Sequence, residues 1–97
     1  MIRHTVAFRL RHPERSSEEA DFLACIGRLR TIRGVKRFEV LKQVGTKNAY
    51  TFGLSMGFAD SSAYQFYNDH PDHVKFVRDR WVPEVEEFIE LDYQILR

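Results

Sequence analysis

The sequence holds a single cysteine, Cys25, so no disulfide can close within the chain. That suits a reducing compartment, and a cytoplasmic protein is expected. Three prolines and five glycines are too few for a linker or a low-complexity segment. No run approaches the roughly 20 apolar residues of a membrane span. The apolar start, MIRHTVAFRL, has charges inside it, which argues against a signal peptide. Charge is nearly balanced at +1, so the electrostatic footprint of a nucleic-acid binder is missing. There is no Gly-rich phosphate loop, no GxSxG and no HxxEH pair. Neither a cofactor nor a metal ion is expected.

What remains is a small globular chain of 97 residues, expected to form one domain over 1–97, with 43% hydrophobic and 30% charged residues. A domain of this size buries only about 60–65% of its unfolded surface, so it is a candidate for self-association.

Alternation is strict from Ile2 to Leu10: Ile2, His4, Val6, Phe8 and Leu10 share one face, which predicts a strand. Ser16 followed by Glu19 is a capping box and opens a helix with Phe22, Ile26 and Leu29 on its stripe. Acids come early in that helix and Arg28, Arg30 and Arg33 come late, as its dipole prefers; Gly34 stops it. The arginines read as a solvated helix end rather than a phosphate site. A second strand is expected over 35–44 and a turn over 45–48. A third strand is expected over 50–58, with Tyr50, Phe52, Leu54, Met56 and Phe58 on one face. Its other face, Thr51, Gly53, Ser55 and Gly57, is all small. Glycine inside a strand is unfavourable unless something approaches closely, so a second copy of the chain is expected to cover Gly53, Ser55 and Gly57.

A helix follows from Asp60 or Ser61, with Ala63, Phe66 and Tyr67 expected on its buried side. His70-Pro71 interrupts it, and Pro71 starts a new run. That run places His73, Phe76, Val77, Arg80 and Trp81 on helical spacing and is expected to end at Pro83, with a turn through Glu86. The last strand, 88–96, alternates again. Ile89, Leu91, Tyr93 and Ile95 are expected inward; Glu90 and Asp92 are expected outward, near Arg3 and Arg9. The order β-α-β-β-α-β is the ferredoxin-like α+β unit: a four-stranded antiparallel sheet with its helices on one face.

Three stretches carry a family resemblance: Met1–His4 with Phe8 and Leu10, HPDHVKFV from His70, and the end of the chain around Asp92-Tyr93. Together they resemble the stress-responsive A/B barrel proteins, the Dabb family of the dimeric α/β-barrel superfamily. The resemblance implies a homodimer in which two sheets pack into a barrel. A plant polyketide cyclase of that family closes its substrate by an intramolecular aldol step without a cofactor. By motif its catalytic His and Tyr correspond to His73 and Tyr67, and two further pocket histidines to His4 and His70. Its pocket Tyr and a third-strand His fall at Ile26 and Phe52 here, which implies a less polar pocket.

The chemistry implied is modest. His73 can exchange a proton near neutral pH, and the Tyr67 hydroxyl can donate to a developing oxyanion. Ligand-binding residues are expected to be His4, His70, Phe8, Phe52, Leu54, Met56 and Trp81, lining an apolar pocket for a small carbonyl or aromatic compound. The plain alternative is that His73 hydrogen-bonds the bend, Tyr67 is core, and the protein is a non-catalytic stress-response dimer. A cofactor-free monooxygenase is a further alternative, by superfamily analogy only. His70, Asp72 and His73, with His4, are weighed as metal ligands and set aside. Cys25 is expected to be inert packing, and His12 solvated.

Overall fold

In the computed structural model, residues 1–96 are described. Strand β1 (Ile2–Leu10) buries His4, Val6, Phe8 and Leu10 on its inner face, as its alternation dictates. Helix α1 (Ser17–Gly27) begins at Ser16, whose hydroxyl accepts from the Glu19 N–H at 3.2 Å. The Glu19 carboxylate reaches back to the Arg15 N–H at 3.1 Å, one residue earlier than in a standard capping box. Phe22 and Ile26 are fully buried beneath it. The helix tightens into a 3₁₀ turn over Arg28–Thr31, and Gly34 then takes φ +95°, which a residue with a Cβ adopts only under strain. The basic helix end is engaged with aromatic faces: Arg30 lies over Phe38 at 5.1 Å and Arg33 over Phe66 at 4.8 Å. Phe66, expected inside, is therefore an exposed platform.

Strands β2 (Lys36–Lys42) and β3 (Phe52–Phe58) form the expected antiparallel pair. Their connection is longer than a four-residue turn. The Gln43 side chain bonds Asn48 Oδ1 at 2.7 Å and the Tyr50 carbonyl, doing in the loop what the ladder would otherwise do. Helix α2 (Ser61–Asp69) starts at Asp60, whose carboxylate accepts from the Ala63 N–H at 2.8 Å. Helix α3 (Pro71–Phe76) leads into a π turn over Val77–Trp81 and a last turn, α4 (Val82–Glu84). The chain stays helical past Pro83 because the widened turn before it accommodates a residue that cannot donate an N–H. Strand β4 (Val85–Gln94) therefore starts three residues earlier than expected, and Glu86 lies in it rather than in a turn.

The sheet order is β2-β3-β1-β4, all antiparallel, with the helices on one face. Register decides which side chains share that face. His4 pairs with Asp92, Val6 with Glu90 and Phe8 with Phe88. Directly paired residues point the same way, so Glu90 and Asp92 face the helices and Ile89, Leu91 and Tyr93 face outward. This reverses the orientation expected for β4. Arg9 pairs instead with Glu87 at 2.7 Å, an acid on its own face.

His12 is also not free in solvent. Its Nε2 lies 2.7 Å from Glu84, which Arg80 also binds, and Arg80 reaches Asp21 of α1 at 2.8 Å. The Arg80 guanidinium, foremost, holds the Glu84 carboxyl below its ordinary value of 4.5. A carboxyl depressed on folding stabilises the protein above its unfolded pKa, and that stabilisation is lost as pH falls through the folded value. Glu84→Gln is therefore expected to flatten the dependence of melting temperature on pH below about 4.5, as read by thermal scans across acid buffers.

Candidate functional site

A cavity of about 450 Å³ lies between the β1–β4 half of the sheet and the helical run above it. Val6, Leu54 and Phe88 make its sheet wall; Phe76, Val77 and Trp81 make its helical wall. Five polar residues reach it: His4 from β1, Tyr67 and Asn68 from α2, His73 from α3 and Glu90 from β4. Apolar walls with a few convergent polar groups are the ordinary form of a small-molecule site.

The break at His70-Pro71 makes this convergence possible. His70 is the cap of α3: its Nδ1 accepts the Asp72 N–H at 3.1 Å. The chain turns there, so Tyr67 and His73, six residues apart, bring their rings to 4.4 Å. His73 Nδ1 lies 3.1 Å from the Asn68 carbonyl, to which it donates, leaving Nε2 as the basic atom. Burial, above all, lowers the pKa of His73 from 6.5, with His4 adding to the effect and the Asn68 carbonyl opposing it. The ring is thus neutral at pH 7 and able to accept a proton.

Tyr67 is 1% exposed, yet its hydroxyl makes no hydrogen bond among the described residues. It is also not a sealed orphan, since no buried side-chain nitrogen or oxygen among them lacks a partner. The hydroxyl therefore retains accessible surface while the ring is packed away. Burial, then the charge of Glu90, pushes its pKa up, so it stays a protonated donor.

His4 is 6% exposed and is the one buried residue in the core with an ionisable side chain among those described, apart from Tyr67. Its Nδ1 lies 2.6 Å from Asp92 Oδ1 and 2.9 Å from the Tyr64 hydroxyl. Tyr64 in turn donates to Asp92 Oδ2 at 2.8 Å. Burial and the Asp92 bond raise the Tyr64 pKa.

Of the residues expected at the site, Tyr67, His73, His4, Leu54 and Trp81 line the cavity. Phe8, Phe52, Met56 and His70 are not among its lining residues. Phe8 lies one layer deeper, under Trp81 at 5.1 Å, and Phe52 stacks on its far side at 5.7 Å. Ile26 is also wholly buried away from the lining. Asp92, Glu90 and Tyr64 were not anticipated. A signal for the two acids existed: a histidine on an apolar strand face needs a polar partner, and the polar positions of a neighbouring strand are one place to find it. The ligating atoms of His4, Glu90 and Asp92 also lie within 4.8 Å of one another, so this trio, not His70 and Asp72, has the spacing to hold a cation.

The strand order and the helices on one face of the sheet define a ferredoxin-like α+β protein. The family of the Stress Responsive A/B Barrel Domain, Dabb, matches residues 2–95. The chain belongs to that family. A Dabb family protein with a ferredoxin-like fold from Mesorhizobium loti is 59% identical, with a TM-score of 0.98 over 99% of this chain and 97% of that one. A dimeric ferredoxin-like protein of unknown function from Thermobifida fusca is 19% identical, with a TM-score of 0.80 over 97% of this chain and 90% of that one. A hydroxynitrile lyase from Passiflora edulis is 19% identical, with a TM-score of 0.85 over 98% and 93%. The last two likenesses concern the fold alone. No protein of curated function matches the chain. Among the described residues no helix is long and apolar enough to cross a membrane.

Proposed function

We propose that the cavity binds a small, largely apolar carbonyl compound and moves protons on it, with His73 as base and Tyr67 as oxyanion donor. The observation that carries this is the Tyr67 hydroxyl: unbonded, protonated, and beside a neutral imidazole at a ring separation of 4.4 Å. His73 Nε2 takes the proton from the carbon next to the carbonyl. The electron pair moves onto the carbonyl oxygen, which the Tyr67 hydroxyl hydrogen-bonds. The enolate then either regains a proton or attacks a second carbonyl of the same molecule, closing a C–C bond as in the family's cyclase. The carboxylates of Glu90 and Asp92 beside the cavity favour neutral substrates over carboxylates.

The test is hydrogen–deuterium exchange at the α-carbon of small aryl ketones and β-diketones, with phenylacetone as reference, followed by NMR. Wild type should exceed the buffer rate. His73→Ala should lose about 10²–10⁴-fold, and Tyr67→Phe about 10²–10³-fold. Because His73 is depressed below 6.5, more than half of the rate should remain at pH 6.5, with the fall continuing at lower pH. No exchange by wild type, with no ligand-induced rise in melting temperature, sinks the reading. A non-catalytic dimer with its pocket filled by its own side chains calls for no space beside His73, and the cavity there counts against it.

Related folds are described as dimeric, and a homodimer follows as the expected assembly. We assign its interface to the outer sheet face: Gly53, Ser55 and Gly57 with Thr5 and Ala7 as the shallow floor, and Leu41, Ile89, Leu91 and Tyr93 as apolar flanks. Exposed apolar area of this extent is otherwise a liability for a soluble chain.

A further inference from the structure

We propose that His4 is a second proton-handling residue of the cavity, acting from Nε2 while Asp92 and Tyr64 fix its Nδ1; this rests on the proton-transfer reading above. The sheet itself builds the arrangement, since His4 and Asp92 are direct partners in the β1–β4 register. The three short contacts admit one sensible proton assignment. If Nδ1 were bare, its lone pair would sit 2.6 Å from a carboxylate oxygen, which is repulsive. Nδ1 therefore carries the proton and donates to Asp92, with the Tyr64 oxygen sharing it at 2.9 Å, and the Tyr64 proton goes to the other Asp92 oxygen at 2.8 Å. Nε2 is left without a partner among the described residues, and it is not sealed from the cavity that His4 lines.

The two imidazoles are thus held alike but backed differently. His73 Nδ1 leans on a peptide carbonyl; His4 Nδ1 leans on a carboxylate. When Nε2 of His4 takes a proton, the positive charge on the ring faces Asp92, as in other His–Asp pairs. That suits a division of labour. His73 removes the carbon proton, and protonated His4 gives its Nε2 proton to the substrate oxygen that has gained charge: the enolate oxygen during exchange, or the alkoxide where a new C–C bond closes. His73 then returns its proton to water and His4 takes one up, so the cycle balances with no other reactant. Tyr67 stands 6.2 Å from His4 by ring centres and completes the polar edge with Glu90. Asp92 and Tyr64 act as positioning residues.

The test joins ¹⁵N NMR of the histidine rings to the exchange assay. In wild type at pH above the histidine titration, His4 should show the Nδ1–H form with bare Nε2. Asp92→Asn should mix or invert that form and lower kcat for phenylacetone exchange by at least about tenfold with KM little changed. Asp92→Glu should restore part of the rate, and Tyr64→Phe, which removes only a hydroxyl, should give a smaller loss. A wild-type His4 protonated on Nε2 alone overturns the inference whatever the activity. So does an active wild type whose Asp92→Asn variant keeps its kcat. An inactive wild type with His4 in the Nδ1–H form overturns both the function and His4's part in it, and is told apart by the failure of wild type itself.

Discussion

Leu91→Lys is expected to convert the proposed dimer to a monomer at micromolar concentration while leaving the monomer fold intact. Leu91 sits mid-strand opposite Thr5, facing away from the helices, and is 45% exposed in the single chain. Its neighbours on β4, Ile89 and Tyr93, are equally open. None of the three contributes to the buried core, so the monomer has little to lose. A twofold interface uses each residue twice. Burying two leucines contributes about 1.5–3 kcal/mol each, and two unpaired ammonium groups in their place add a desolvation cost of several kcal/mol. The sum is enough to weaken association by three orders of magnitude or more, about 4 kcal/mol. Sedimentation equilibrium reads the outcome. Gly53→Trp should act in the same direction: a Cβ there meets Leu41 at only ordinary distance, 3.6 Å, so the added bulk projects onto the floor of the face. A dimer unchanged by both would place the contact elsewhere.

That prediction depends on a point that alternation alone did not reveal. Period two in β1 named the inner face correctly because one set of residues was largely apolar and the other carried Arg3, Thr5 and Arg9. In β4 both sets carry apolar residues: Ile89, Leu91 and Tyr93 against Phe88, with Glu90 and Asp92 beside it. In the proposed dimer β4 has helices on one side and a second subunit on the other, and a strand so placed loses the contrast on which the pattern rests. The acids looked like the solvent face and are instead the polar edge of the cavity. The element order, the caps at Ser16 and Asp60 and the bend at His70 were legible, because each is set by local chemistry; the stop expected at Gly34 falls earlier, since the α-helix ends at Gly27 and its 3₁₀ extension at Thr31, with Gly34 in the turn beyond. The meeting of Tyr67 with His73 was legible as a consequence of Pro71. The bond joining His4 to Asp92 was not, because it depends on register between strands whose paired residues lie 88 apart, nor was the bond from Tyr64 to Asp92, which depends on how α2 packs over that pair. The depth of Phe8 was missed for a similar reason. Alternation says that a side chain points inward, but not whether a tryptophan from another element lies between it and the cavity.

Phe8→Ala is expected to cost about 3–5 kcal/mol of stability, the ordinary range for removing a core phenylalanine. Phe8 has no exposed surface, and its ring is met by Phe22 at 6.1 Å, Phe52 at 5.7 Å and Trp81 at 5.1 Å. Phe22 and Trp81 also touch each other, at 6.2 Å, and both touch Phe76. Deleting the central ring therefore leaves a void whose walls are pinned by one another, and walls that cannot collapse raise the cost. For a domain of this size the loss corresponds to a fall in melting temperature of roughly 15–30 °C, read at fixed protein concentration because association in the proposed dimer contributes to the midpoint. The void also opens directly beneath Trp81, which walls the cavity. Trp81 then loses the ring that backs it and is held less firmly against a ligand, so ligand-induced stabilisation by phenylacetone should shrink in this variant even at temperatures where it remains folded. Phe8→Leu, which keeps most of the volume, should recover much of the stability and most of the ligand response. A Phe8→Ala protein as stable as wild type would mean that the aromatic cluster does not form the packed layer between sheet and cavity.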